Sequence, residues 1–308
     1  MSQAIDKKRR LTIAALGLSV ISWPASAQRT MRIISIGGAM TEIVYALGAQ
    51  SRLIARDTTS TYPDAANQLP HIGYQRNLAA EGIAALKPDL VLAGAEAGPP
   101  TVIKQLRELG IRIEQISHPP GTEYSMAEVR KKIQLVGQSL GLASLGNELQ
   151  QRFDLAWQQQ TQQQVQRIAQ WQMTRQDKPA HRPAMLFILS HTGNQAMVAG
   201  AQTAADAVMR YAGAEPALGK QFNGYKPLTA EAAVTAAPEL ILTTQEGLQQ
   251  MGGIDRLLEQ PGLALTPAGK QRRVIAMDSL YLLGFGPRLP QAINELNAHI
   301  YGKPAHVA

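Results

Sequence analysis

The chain says one thing twice. GYQRNLAAEGIAALKPDLVLAG, residues 73–94, returns in looser form as GYKPLTAEAAVTAAPELILTT from Gly224. From Leu78 and Leu228 onward the copies align without a gap: Glu81 with Glu231, Pro88 with Pro238, Asp89 with Glu239, and Leu90-Val91-Leu92 with Leu240-Ile241-Leu242. Each copy reads as a short helix, a proline that cannot continue it, and a buried strand. A unit of that kind belongs to a sheet with helices on its faces, so its duplication predicts two similar α/β lobes.

The flanking text agrees. MRIISIG (31–37) reads as a strand, TEIVYALGA as a helix stopped by Gly48, RLIAR as a second strand and DTTSTYP as a turn-rich loop. Within the repeat Asn77 is the expected N-cap. TVIKQLRELG and IRIEQIS repeat helix then strand, and this alternation predicts parallel sheets. Between Pro120 and Pro179 no proline intervenes, and apolar residues recur every three or four positions. The spacing predicts a helix over 126–140 and one long helix over 144–174, with the glutamines of 158–164 on its solvated face. After DKPAHRP, a polar linker, the alternation resumes with AMLFILS (184–190), the loop HTGNQ, the helix TAADAVMRYAG, the second repeat copy, the strand RVIAMD and a closing helix over 290–301. The expected fold is therefore two similar parallel-sheet α/β lobes joined by one long interlobe helix. Their ligand cleft lies between them, at the carboxyl ends of the strands.

Residues 1–27 stand apart. Lys7 to Arg10 form a positive segment, 11–21 a short apolar run, and Ala25-Ser26-Ala27 a cleavage signal, which together read as a secretory signal peptide. The expected division is signal peptide 1–27, N-terminal lobe 28–125, helical region 126–178 and C-terminal lobe 179–308. Losing four basic residues and one Asp takes the formal charge from +7 to +4, which is no nucleic-acid signature. Cysteine is absent, so thiolate metal sites, cysteine nucleophiles and disulfides are excluded even though export would permit the last. No phosphate-binding loop occurs, nor does the HExxH pattern of hydrolases, and the GxSxG string GQSLG (137–141) falls at the end of the helix expected over 126–140 and not on a strand-to-helix turn. Asp57 and Asp278, near strand ends, are all that a secreted α/β enzyme could offer.

What remains is oxygen and imidazole chemistry. Tyr74 and Arg76 lie two apart in an extended loop, where alternate side chains point the same way, so the guanidinium can lie beside the phenol and favour its anion. A phenolate suits ferric iron, although a loop tyrosine can equally be a packing residue. His191 opens the loop after the first strand of the second lobe and faces the same two readings. His71 and His118 are weaker candidates, and His181, His299 and His306 read as exposed.

These residues carry a resemblance. IISIGGAMTEIVYALGA, GYQRNLAAEGIAALKPDLVLAG, SHTGNQAMVAG with TAADAVM, and LYLLGFGPRLP together resemble the periplasmic substrate-binding proteins of bacterial ABC importers. The group in question has a rigid interlobe helix, and the likeness is greatest to its haem-binding members. The resemblance spans about 32–301. Its first and second pieces are shared in part with siderophore and cobalamin binders, whereas GYQRNLAAEG and LLGFGPR are more particular to haem binders. It implies capture of haem rather than catalysis, with ferric iron on Tyr74, Arg76 as hydrogen-bonding partner, and His191 as a second ligand found in some relatives. Met197 and Val198 are expected against the haem face. Glu81 and Glu231, in register in the two lobes, would dock on a dimeric inner-membrane permease served by an ATPase. The protein would act as a periplasmic monomer. Tyr225 copies Tyr74, but Lys226-Pro227 replaces Gln75-Arg76, so the iron-ligand role is not carried to it. Ferric siderophore or cobalamin binding is the alternative within the same fold.

Overall fold

A computed structural model describes residues 30–116, 124–174, 181–189 and 196–302. The expected signal peptide, together with His118, His191 and His306, lies outside the described residues.

The first sheet is built from β1 (Ile33–Ile36), β2 (Leu53–Arg56), β3 (Leu90–Ala93) and β4 (Ile113–Gln115), in the order β2-β1-β3-β4 and parallel throughout. α1 (Gly38–Ala46), α2 (Ala80–Ala85) and α3 (Pro100–Glu108) connect these strands. The chain then runs through α4 (Met126–Ser139) and α5 (Ala143–Met173), each within a residue of the expected span. At 1.5 Å per residue the 31 residues of α5 extend about 46 Å.

The second half comprises β5 (Ala184–Leu189), β6 (Met197–Ala199), α6 (Ala204–Tyr211), β7 (Glu215–Pro216), β8 (Tyr225–Pro227), α7 (Ala230–Ala236), β9 (Leu240–Thr244), α8 (Gln245–Met251) and α9 (Ile254–Leu258). α10 (Pro267–Lys270), β10 (Val274–Met277), α11 (Ser279–Leu283) and α12 (Leu289–Tyr301) complete it. Its sheet runs β10-β9-β5-β6-β8, with β7 also on β5. β5, β9 and β10 are parallel, as expected, but β6 is antiparallel to β5 and β8 to β6, so this sheet is mixed. Only seven residues, 190–196, separate β5 from β6, too few for a crossover helix, and so the next strand runs the other way.

The duplication survives in the backbone. Lys87 and Ala237, each just before the shared proline, both adopt left-handed φ, 47° and 41°. The next side chain does the same work twice: Asp89 Oδ2 accepts the Arg32 N–H at 2.8 Å, and Glu239 Oε1 accepts the Ala184 N–H at 3.4 Å. The copies differ at the helix start. Thr229 caps α7 by accepting the Ala232 N–H, whereas α2 begins after Ala79 with no side-chain cap. Asn77 is not the cap expected of it, because its own N–H closes a turn onto the Tyr74 carbonyl.

Strand alternation sorts the core. Ile34, Ile36, Val91 and Ala93 bury into a cluster on one side of the first sheet, and Leu186, Ile188 and Ile241 into another on one side of the second. The opposite faces, Ile33, Leu90 and Leu92 in the first half and Met185, Phe187, Leu240 and Leu242 in the second, belong to a single cluster. α5 lies along it. Its first turns meet α4, where Gly137 lets Gly146 approach and Arg130 pairs with Asp154 at 2.7 Å. Its later turns meet the second half: Trp157 stands edge-on to Tyr211, Arg167 bonds Asn297, and Trp171 stands edge-on to Tyr301.

Candidate functional site

The loop bearing Tyr74 is fixed from three sides at the carboxyl end of the first sheet. Thr58 donates its N–H to Gly73, Gly98 donates to Gln75, and Leu78 donates back to Gly98. Gly37, at the end of β1 with φ 97°, leaves room for the Gln75 amide oxygen, which a Cβ there would meet at 3.2 Å. Asp57 organises the neighbouring loop from a wholly buried position, and Asp278 caps α11 through the Tyr281 N–H at 2.7 Å. Both aspartates are thus engaged in holding backbone. Tyr74 itself projects with 46 % of its surface exposed, available to a ligand.

The segment expected to be extended is instead a turn, closed by the Asn77 N–H on the Tyr74 carbonyl, so the alternation expected to set Arg76 beside the phenol does not hold, and Arg76 is held by a residue that the sequence pattern does not mark. Its guanidinium pairs with Glu96, and the other oxygen of that carboxylate accepts the Tyr124 hydroxyl at 2.6 Å. Glu96 lies in the loop after β3 and Tyr124 just ahead of α4. Neither has a periodic neighbour to mark it, and only their place beyond strand ends could have done so. From the second half comes Tyr225 on β8. Burial raises its pKa, while the Thr203 hydroxyl, the Arg76 charge and the Ala205 backbone at the start of α6 pull it back. Burial likewise raises that of Tyr124, with Glu128 and Tyr225 adding to the effect and Arg76 opposing it. One cation thus acts on phenols from both halves, so Arg76, Glu96, Tyr124 and Tyr225 converge where the two sheets' loops meet.

The other expected residues fall as follows. Met197 is half-buried, but Val198 is 1 % exposed and packs in the second half's own cluster on β6, so it offers no face to a ligand. His71 is bridged to Arg56, and His181 and His299 lie against Glu239 and Glu295. Glu81 and Glu231 sit in the first turns of α2 and α7, exposed in both lobes. Among the described residues no group of three or more His, Asp or Glu could hold a bare metal ion, and no helix is long and apolar enough to cross a membrane.

Residues 33–281 match the family described as periplasmic binding protein. Among solved structures, the periplasmic heme-binding protein BhuT in complex with two hemes shares 46 % identity over 88 % of this chain and 97 % of its own, with a TM-score of 0.76. An uncharacterized ABC transporter substrate-binding lipoprotein of Bacillus subtilis, YvrC, is 27 % identical over 88 % of this chain and 80 % of its own length. The vitamin B12-binding protein of Yersinia pestis is 39 % identical over 100 residues, about a third of either chain.

Proposed function

This chain belongs to the periplasmic binding proteins, and within that family we propose that it captures haem and delivers it to an inner-membrane ABC permease. The observation that carries the reading is the half-exposed phenol of Tyr74, held on a stitched loop beside a cluster of hydroxyls and charge drawn from both halves. Tyr74 takes the ferric iron as phenolate. Arg76, two residues along, leaves Glu96 to stabilise that anion when haem enters. His191 is the second axial candidate and Met197 a contact for the porphyrin face. Export by removal of residues 1–27 places the monomer in the periplasm. Glu81 and Glu231, presented at equivalent helix starts, meet basic residues on a two-fold permease, whose ATPase supplies the energy.

The reading is tested by titrating the chain from residue 28 onward with hemin and following absorption. A high-spin tyrosinate spectrum is expected for the parent and for His191→Ala, and its loss for Tyr74→Ala. Retention in Tyr74→Ala would refute the assignment. The partial likeness to a vitamin B12-binding protein favours a second reading, cobalamin capture, which the same cell decides with cobalamin in place of hemin.

A further inference from the structure

The segment LYLLGFGPRLP, 280–290, supplies no side chain to the site above, yet it makes an unusual set of contacts. Leu280 presses on Gly38, where any Cβ would come within 2.3 Å of it. Phe285 is 1 % exposed, adopts φ 49°, and sets its ring 5.1 Å from that of Tyr124. Its carbonyl accepts the buried Lys132 ammonium of α4 at 3.3 Å. Arg288 donates its backbone N–H to Glu42 Oε1 and its guanidinium to Oε2, both at 3.1 Å. That guanidinium lies 3.4 Å from the centre of the Tyr62 ring and 5.1 Å from that of Tyr281. Every one of these partners except Tyr281 belongs to the first half of the chain.

We propose that Phe285 and Arg288, with Glu42, form a clasp that sets the width of the cleft and so acts as a specificity determinant for the ligand retained there. A carboxylate at 5 % exposure and a guanidinium stacked between rings are held at one separation, because a stacked, doubly bonded arginine tolerates little displacement. Burial pushes the Glu42 carboxyl up and Arg288 pulls it back, so loss of the arginine would strand a costly group. The clasp also reaches the candidate site by direct contact: Phe285 touches Tyr124, Tyr124 bonds Glu96, and Glu96 holds Arg76. Beside the ion pair lies a cavity of about 470 Å³, lined by Tyr62, Arg152, Phe153 and Gln291 among others, into which a loosened seam could rearrange. The ligand part rests on the haem-capture reading, whereas the seam can be judged without any ligand.

The test compares Arg288→Lys, which keeps the charge but not the stacked fork, with Glu42→Gln and with Tyr62→Leu, which removes one ring from a 40 % exposed position and spares the ion pair. Hydrogen exchange is read over 38–46 and 279–289 in the haem-free protein, and haem loss is timed by transfer to excess apomyoglobin. Faster exchange in both segments is expected, together with haem loss about tenfold faster and an unchanged tyrosinate spectrum. Parent-like exchange in variants that fold, or haem loss within twofold of the parent, would overturn the proposal. If the two buried-pair variants do not fold, Tyr62→Leu decides by the same criteria. If the parent binds no haem, the capture reading has failed, and the clasp stands or falls on exchange alone.

Discussion

Replacing Asp57 with alanine should cost stability, not chemistry. Its carboxylate is wholly buried and accepts four hydrogen bonds, from Gly37 N at 2.8 Å and Ser60 Oγ at 2.6 Å on one oxygen, and from Thr59 N at 2.9 Å and Thr59 Oγ1 at 2.5 Å on the other. The hydroxyls can turn elsewhere, since Ser60 also has Thr41 within reach at 2.7 Å. The two backbone N–H groups cannot. Each stranded donor costs about 1–3 kcal/mol, and loss of a charged acceptor lies at the upper end, so Asp57→Ala should lose about 3–5 kcal/mol. Asp57→Asn keeps one acceptor and turns an amide N–H₂ toward the Thr59 N–H, for a loss of about 1–3 kcal/mol. Urea unfolding of the haem-free protein, followed by the fluorescence of Trp157 and Trp171 on α5, measures both. Because Thr58 beside this loop holds Gly73, hemin affinity should weaken in parallel. A stability within about 1 kcal/mol of the parent for Asp57→Ala would refute the argument.

The repeat makes its own forecast: Thr229→Ala should cost about 1 kcal/mol, and Ala79→Thr should recover a similar amount by giving α2 the cap that α7 has, both read in urea. Burial pushes Tyr301 up to about 12, and Tyr281 reaches about 12 from burial with the Glu295 charge adding to it. The folded chain thus keeps protons that the unfolded chain releases above pH 10, so stability should fall as pH rises from 10 to about 12, and Tyr301→Phe should flatten that limb. Phe153, 2 % exposed on α5, should cost about 3–5 kcal/mol when cut to alanine, as measured by calorimetry. Glu81→Gln with Glu231→Gln should leave the hemin titration unchanged while weakening association with permease in nanodiscs, more at low salt than at high.

Periodic elements were legible and loops were not. α4 and α5 could be placed from apolar spacing uninterrupted by proline, and β3 and β9 from the repeat itself. β6 was missed because a strand of three residues carries no period, and with it went the exposure expected of Val198. Asn77 misled because an Asn before a helix can as readily close a turn. At the site, Tyr74 and Arg76 stood out as a pair in sequence. Their environment depends on Glu96, Tyr124 and Tyr225, brought together by topology from three distant segments. The clasp residues could be singled out only by likeness, since Glu42 and Arg288 are 246 positions apart.

The shared apolar cluster beneath both sheets has a consequence for how such a chain could be divided. Cut in the middle of α5, either fragment would keep its own separate cluster but leave its share of the common one wet, and would seek a second copy of itself or precipitate. Heat should therefore melt both lobes in one transition.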